Sequence, residues 1–218
     1  MIRPLAIAVA AASLTACAGA KPTTAPAPAT QAPASDDKYI LKARADSARL
    51  PYTAADIRFM SGMISHHAQA IEMSHWAPTH GGSPAIIRLT ERIINAQGDE
   101  IKMMQTWLRD RNQPVPAADP KGMSMQMGGM THTMLMPGML TEGQMKELDA
   151  ARGGEFDRLF LTYMIQHHRG AVSMVQELFG SIGAGQDLTV FKFASDVNVD
   201  QTTEIARMEK LKDRKSVV

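Results

Sequence analysis

The 218-residue sequence sets 23 lysines and arginines against 22 acidic residues, and gathers neither sign into a run that would attract a phosphate backbone. That balance argues against nucleic acid as a partner. Two counts stand apart from an ordinary soluble composition, 17 methionines and an aromatic content of 5%, and they point toward thioether chemistry.

At the N-terminus Arg3 precedes an apolar stretch from Leu5 to Leu14 and then Thr15-Ala16-Cys17. This is the plan of a secretory signal, and the stretch is too short to span a membrane as a mature helix. Leu14-Thr15-Ala16-Cys17 also resembles the bacterial lipobox, and Cys17 is the single cysteine of the chain. Residues 1–17 are therefore expected to be a lipoprotein signal and lipobox, with Cys17 lipidated. The mature chain is then exported and membrane-anchored, facing the periplasm or cell exterior, with no disulfide and no thiolate ligand. Residues 18–36, dominated by Ala, Pro and Thr, read as an extended linker. A single domain is expected over 37–215.

An internal repeat organises that domain. Asp56, Phe59, Met63, Ile64, His66, His67, Ala70 and Met73 recur 101 positions later as Asp157, Phe160, Met164, Ile165, His167, His168, Ala171 and Met174. Gln97, Glu100, Ile101 and Met104 recur 104 positions later as Gln201, Glu204, Ile205 and Met208. The halves span 52–111 and 141–214, with a Met-rich connection over 112–140. Helical spacing of apolar residues begins at Thr53, which forms a variant capping box with Asp56 and opens a helix ending near Thr79 to Gly82. Ser83-Pro84 reads as an N-cap with proline at the first helical position, opening a helix to about Arg111. Thr141 and Gln144 predict a capping box for a short lead-in helix that Gly153-Gly154 would stop. A long helix follows over Glu155 to Phe179, and Asp187 is expected to cap a last one running to about Lys212. Two amphipathic hairpins bury their faces most simply as an all-α four-helix bundle, with short extra helices and a Met-rich loop between the halves.

Along the first helix Met63, His66, His67 and Ala70 fall on one face, with Met73 at its edge and Glu72 pointing away toward solvent. The repeat places Met164, His167, His168, Ala171 and Met174 on the matching face, so up to four imidazoles and four thioethers are expected to meet. Gln97, Glu100, Gln201 and Glu204 turn polar groups toward the same core, either as ligands or, the favoured role, as groups that orient the histidines. Methionine stripes usually fill cores and a lone histidine is usually a bonded core residue. Two His-His pairs flanked by Met in both halves are harder to explain by packing. Imidazole with thioether suits Cu(I) and Cu(II) better than Mg²⁺, Ca²⁺ or Zn²⁺, leaving other transition metals open. The connection adds Met123, Met125, Met127, Met130, His132, Met134, Met136 and Met139, read as an auxiliary loop for Cu(I) or Ag(I). His75 and His80 are candidate peripheral ligands, although surface histidines are the commoner case.

Phe59-Met60-Ser61-Gly62-Met63-Ile64-Ser65-His66-His67 with Ala70 and Met73, its second-half counterpart through Met164-Ile165-Gln166-His167-His168, Met136-Pro137-Gly138-Met139-Leu140, and the two Gln/Glu-Ile/Met runs carry a resemblance. The chain resembles the ferritin-like bacterial proteins of the domain-of-unknown-function 305 family from about Tyr52 to Met208. The resemblance implies a ferritin-like bundle, usually exported, with some members tied to copper binding and tolerance, and no settled activity. The Glu-x-x-His spacing that diiron sites draw from two helices occurs once, at Glu72 and His75, with no counterpart in the second half, which argues against iron oxidation.

The leading expectation is a non-enzymatic copper-binding lipoprotein that sequesters copper or delivers it, with a copper-handling protein as partner. The site is His66, His67, His167, His168, Met63, Met164, Met73 and Met174, and no catalytic residue is assigned. A ferritin-like redox enzyme with a dinuclear centre at Glu100, Glu204 and the histidines is one alternative. A structural or adaptor lipoprotein without metal is the other.

Overall fold

The structure, a computed structural model, describes residues 34–47, 51–127 and 129–216. The signal segment, Cys17 and the linker up to residue 33 lie outside the described residues. In chain order the elements are α1 (Ala34–Ser47), α2 (Ala54–His75), α3 (Pro84–Asp110), β1 (Met123–Met127), β2 (Met130–Met134), α4 (Glu142–Ala150), α5 (Gly153–Gly180) and α6 (Leu188–Ser216). Among the described residues no helix is long and apolar enough to cross a membrane.

Local chemistry sets the helix boundaries. The Thr53 side chain accepts from the Asp56 N–H while Asp56 accepts from the Thr53 N–H, the reciprocal box that opens α2. Thr141 and Gln144 do the same for α4. Asp187 accepts from the N–H groups of Thr189 and Val190 and so caps α6. Two expectations shift. Ser83 makes no side-chain cap to α3, and its N–H instead donates to Asp157 at 3.1 Å. Gly153-Gly154 does not stop α4, which ends at Ala150; Gly153, at φ +58°, opens α5 and donates its N–H to the His80 carbonyl at 2.8 Å. Only a residue free to take that positive φ begins a helix at this point without strain. Ahead of the bundle residues 38–45 of α1 are exposed, and α1 is tied to the end of α3 by the Arg44–Asp110 ion pair at 2.6 Å.

Helices α2 with α3 and α5 with α6 form the two hairpins, and α2 packs on α5 between them. The core divides into two apolar clusters. One joins Phe59, Met63, Trp107, Met174 and Phe193; the other joins Met73, Ile93, Phe156, Phe160, Met164 and Met208. Burying each such side chain contributes about 1.5–3 kcal/mol. The repeated aspartates act across the hairpins. Asp56 of α2 accepts from the Gly185 N–H ahead of α6 at 2.7 Å, and Asp157 of α5 accepts from the Ser83 N–H ahead of α3. Each hairpin's turn is therefore held by a carboxylate of the other. Arg111 at the end of α3 is buried against Asp187, and its guanidinium lies 4.3 Å from the Trp107 ring centroid.

The Met-rich connection is a two-stranded antiparallel hairpin and not the irregular loop the sequence suggested. Its register pairs Met123 with Met134, Met125 with His132 and Met127 with Met130, while Ser124 meets Thr133 and Gln126 meets Thr131. Alternation of Met with small polar residues is the period-2 signature of a strand. Gly129, at φ +80°, takes the positive φ of the turn.

Candidate metal centre

All four paired histidines are fully buried, and the repeat gives each member of a pair its own role. His66 of α2 and His167 of α5 face each other, ring centroids 3.8 Å apart and planes 39° apart. His67 and His168 turn outward to α3 and α6: His67 Nε2 lies 2.8 Å from Glu100 Oε2, and His168 Nε2 lies 2.8 Å from Glu204 Oε2. The centroid separation within each pair is 6.2 Å and 6.3 Å. Met63 and Met174 belong to one flanking apolar cluster, and Met73 and Met164 to the other.

The acceptors fix the protons. A carbonyl or carboxylate oxygen only accepts, so the partnered Nε2 atoms of His67 and His168 carry hydrogen. The same holds for His66, whose Nε2 donates to the Pro137 carbonyl at 3.0 Å. In a neutral ring the opposite nitrogen is then a bare lone pair. The Nδ1 atoms of His66, His67 and His168 and both nitrogens of His167 make no hydrogen bond of good geometry, although the His66 and His167 rings each lie close to the other's backbone. Leaving a buried polar atom unpaired costs about 1–3 kcal/mol, so these nitrogens are placed to take a water or a ligand. Histidines that hold metals characteristically donate their other N–H to a carboxylate or backbone carbonyl. The donors fit a soft ion. Among the described residues no three His, Cys, Asp or Glu side chains converge as a closed metal site requires; a site here would draw on other donors, the neighbouring thioethers among them.

Burial holds the imidazoles of His66 and His167 well below the ordinary histidine value. Neighbouring imidazoles add to this, His67 and His168 acting on His66, and His66, His168 and His67 acting on His167. The backbones of Pro137 and His167 work the other way on His66, and that of His66 does so on His167. Both rings are therefore neutral near pH 7, the state that coordinates.

Pro137 reaches His66 because Met136–Leu140 crosses the groove between α2 and α5. Gln69 clamps Leu140 from both sides, its Oε1 accepting from the Leu140 N–H at 2.6 Å and its Nε2 donating to the Leu140 carbonyl at 3.1 Å. The repeat counterpart of Gln69 is Gly170, and there a Cβ would meet the Pro137 oxygen at 2.0 Å. The repeat itself hid these contacts, because the crossing segment occurs once.

Glu100 and Glu204 line a cleft of about 310 Å³ between α3 and α6 with Gln97, Gln201 and Asp200. The Gln97 and Gln201 Oε1 atoms are buried without a partner. Burial raises the Asp200 carboxyl, with further upward pushes from Glu100, Asp196 and Glu204. Asp200 escaped the sequence reading because Ala96 occupies its counterpart position. His80 is no peripheral ligand: it is buried, bonded to Thr79 and Asp149 and stacked on Trp76. His75 is exposed. Glu72 is half-buried, and burial raises its carboxyl.

The family model of the domain of unknown function DUF305 matches residues 56–212. The chain belongs to the DUF305 family. A DUF305 protein from Streptomyces coelicolor, described as secreted, superposes with a TM-score of 0.62 at 30% identity, covering 74% of this chain and 94% of that one. CopM in its Cu(II)-bound form gives a TM-score of 0.55 at 30% identity over 73% of this chain and 96% of CopM. CopM has also been solved with Cu(I) and with Ag bound. Among curated proteins, the uncharacterized protein L153 of Acanthamoeba polyphaga mimivirus is 39% identical over 56 residues, 26% of this chain. The chain spans 37% of the length of that relative. Within this DUF305 chain the matched region takes in both His-His pairs and both Gln/Glu pairs.

Proposed function

We propose that this protein binds copper outside the cytoplasm as a non-enzymatic lipoprotein, sequestering the ion or passing it to a copper-handling partner. One observation carries the reading: a buried layer of imidazoles whose Nε2–H groups are committed to Pro137, Glu100 and Glu204, leaving bare nitrogens between two methionine-bearing clusters. His66 and His167 would be the nitrogen ligands and Met63, Met164, Met73 and Met174 the sulfur reservoir. His67 and His168, with Glu100 and Glu204, would hold the layer in register. Two imidazoles completed by thioethers form a low-coordinate, soft set of the kind Cu(I) and Ag(I) take. The Cu(II), Cu(I) and Ag forms of CopM, a family member at 28–30% identity, support this metal class. We assign the anchor to Cys17, the tether to residues 18–36 and the cargo domain to 37–215; the description of the Streptomyces relative as secreted is in keeping with export.

Metal analysis and melting of the mature protein test the proposal. A ligand present at a hundred times its Kd stabilises the folded state by about 2.7 kcal/mol, so Cu(I) added under reducing conditions should raise the Tm by several degrees. The variant with His66, His67, His167 and His168 all changed to Ala should neither bind nor respond. A wild-type protein that holds no more copper than that variant, with an unchanged Tm, would return the histidines to a purely structural role.

A further inference from the structure

We infer that this protein has a second soft-metal site made only of thioethers, at the foot of the β-hairpin and separate from the histidine layer. A cleft of about 250 Å³ there is lined by Met123, Met134, Met136 and Met174. The four come from three parts of the chain. Met123 and Met134 are directly opposed in the β1–β2 register, a spacing that brings Cβ atoms to about 5 Å. Met136 opens the crossing segment, and Met174 lies almost two turns past the second His-His pair on α5.

Met136 and Met174 converge on the backbone of Gly62. A Cβ at Gly62 would stand 2.7 Å from Met136 Sδ and 3.5 Å from Met174 Cε. A glycine there lets two sulfur-bearing side chains lie flat on α2 beside the hairpin. The neighbouring Met139 is not part of the set, since its Sδ already accepts the Met136 N–H at 3.3 Å.

Core filling accounts for Met136 and Met174, which are buried in one apolar cluster, but not for the arrangement as a whole. Methionine is the side chain best able to occupy irregular space, yet four of them surround a cleft that stays open, and Met134 is 46% exposed. Arg58 and Glu177 also line the cleft, one charge of each sign, so net charge selects no ion. Softness does. Neutral thioethers hold Cu(I) or Ag(I), while hard cations take oxygen and Cu(II) takes nitrogen. Thioethers do not titrate, so this cleft retains its donors in acid while protons compete for the imidazoles. The inference rests on the soft-metal chemistry of the proposed function and shares one thioether with it, Met174, but none of its imidazoles.

The mature protein with ¹³C-labelled methionine methyl groups is titrated with Ag(I), then with Cu(I) under reducing conditions, at pH 7 and pH 5. The Met123, Met134, Met136 and Met174 methyl signals are expected to shift together, at both pH values, while Met145 of α4 stays still. Met123→Leu/Met134→Leu should lose one equivalent of Ag(I) and keep copper binding at the histidines. His66→Ala/His167→Ala should lose the histidine-bound metal and keep the methyl shifts. Four unmoved methyl signals in the wild-type titration, or full Ag(I) stoichiometry in the leucine variant, would overturn the second site whatever the histidines do. Methyl shifts without histidine-dependent binding would uphold it and overturn the first.

Discussion

Replacing Gly170 by Ala separates tertiary packing from helix propensity, because the two give opposite signs. Gly170 lies within α5, where alanine ordinarily gains about 1 kcal/mol over glycine. Here the new Cβ would lie 2.0 Å from the Pro137 oxygen and 2.5 Å from the Gly138 Cα, both backbone atoms. Non-bonded atoms rest about 3.5 Å apart, so the crossing segment must retreat by about 1.5 Å. That movement breaks the 3.0 Å His66–Pro137 hydrogen bond and strains the Gln69 clamp on Leu140. Overpacking costs about 1–3 kcal/mol and an orphaned buried group about 1–3 more. After the propensity gain a net loss of about 3 kcal/mol remains, a Tm fall of about 6–12 °C for a chain of this size. Gly98→Ala in α3 is the control, since a Cβ there meets nothing within 4 Å, and it should stabilise by up to about 1 kcal/mol. Thermal and urea melts of both variants decide the matter. A Gly170→Ala protein as stable as the wild type would refute the close crossing, and with it the fixed tautomer of His66.

Glu100→Gln and Glu204→Gln should each weaken copper binding about 10–100-fold with little change in fold, because each removes the charged acceptor that orients His67 or His168; competition with a chromogenic Cu(I) chelator measures this, and unaltered affinity in both would disprove the orienting role. Asp187→Asn leaves the buried Arg111 guanidinium without its counter-charge, and a loss of about 3–5 kcal/mol in urea unfolding is expected; a loss under 1 kcal/mol would show that solvent reaches the pair. The folded-state values of His66 and His167 lie below those of the unfolded chain. Unfolding therefore takes up protons once the pH drops below about 6.5. Their contribution to metal-free stability is present above that pH and declines on acidification, by up to about 2.7 kcal/mol per pH unit for two histidines. Metal-free melts that held level from pH 7 to pH 5 would contradict it.

The parts written twice were the most legible. Asp56 and Asp157, the His-His pairs and the Gln/Glu pairs each announced a helix face through their fixed offsets, and helical spacing turned those offsets into a bundle of two hairpins. The sequence also put Glu100 and Glu204 beside the histidines. It could not say which histidine of each pair would take them, because both lie within one helical face and only the facing hairpin breaks the tie. What occurs once was harder to read. Met123 to Met134 alternates strictly enough to be a hairpin, but Gly, Ser and Thr masked the strand period, and such a short pair is stable only where it rests on the bundle. The Pro137 carbonyl, the Gln69 clamp and the Gly170 gap depend on a segment brought in from some seventy residues away in the chain. No local pattern encodes such a contact.

The exchange of carboxylates between hairpins bears on how such a chain can arise and be taken apart. Because Asp56 closes the turn ahead of α6 and Asp157 closes the turn ahead of α3, neither half contains its own fastener. A polypeptide of half this length would find the missing carboxylate only in a second copy of itself, paired reciprocally around a two-fold axis. The present sequence has the form such a symmetric ancestor would take after fusion, with the β-hairpin as the seam. If the chain were severed at that seam, the halves should remain unstructured apart and regain helical order only when mixed, since each supplies the other's closing contact.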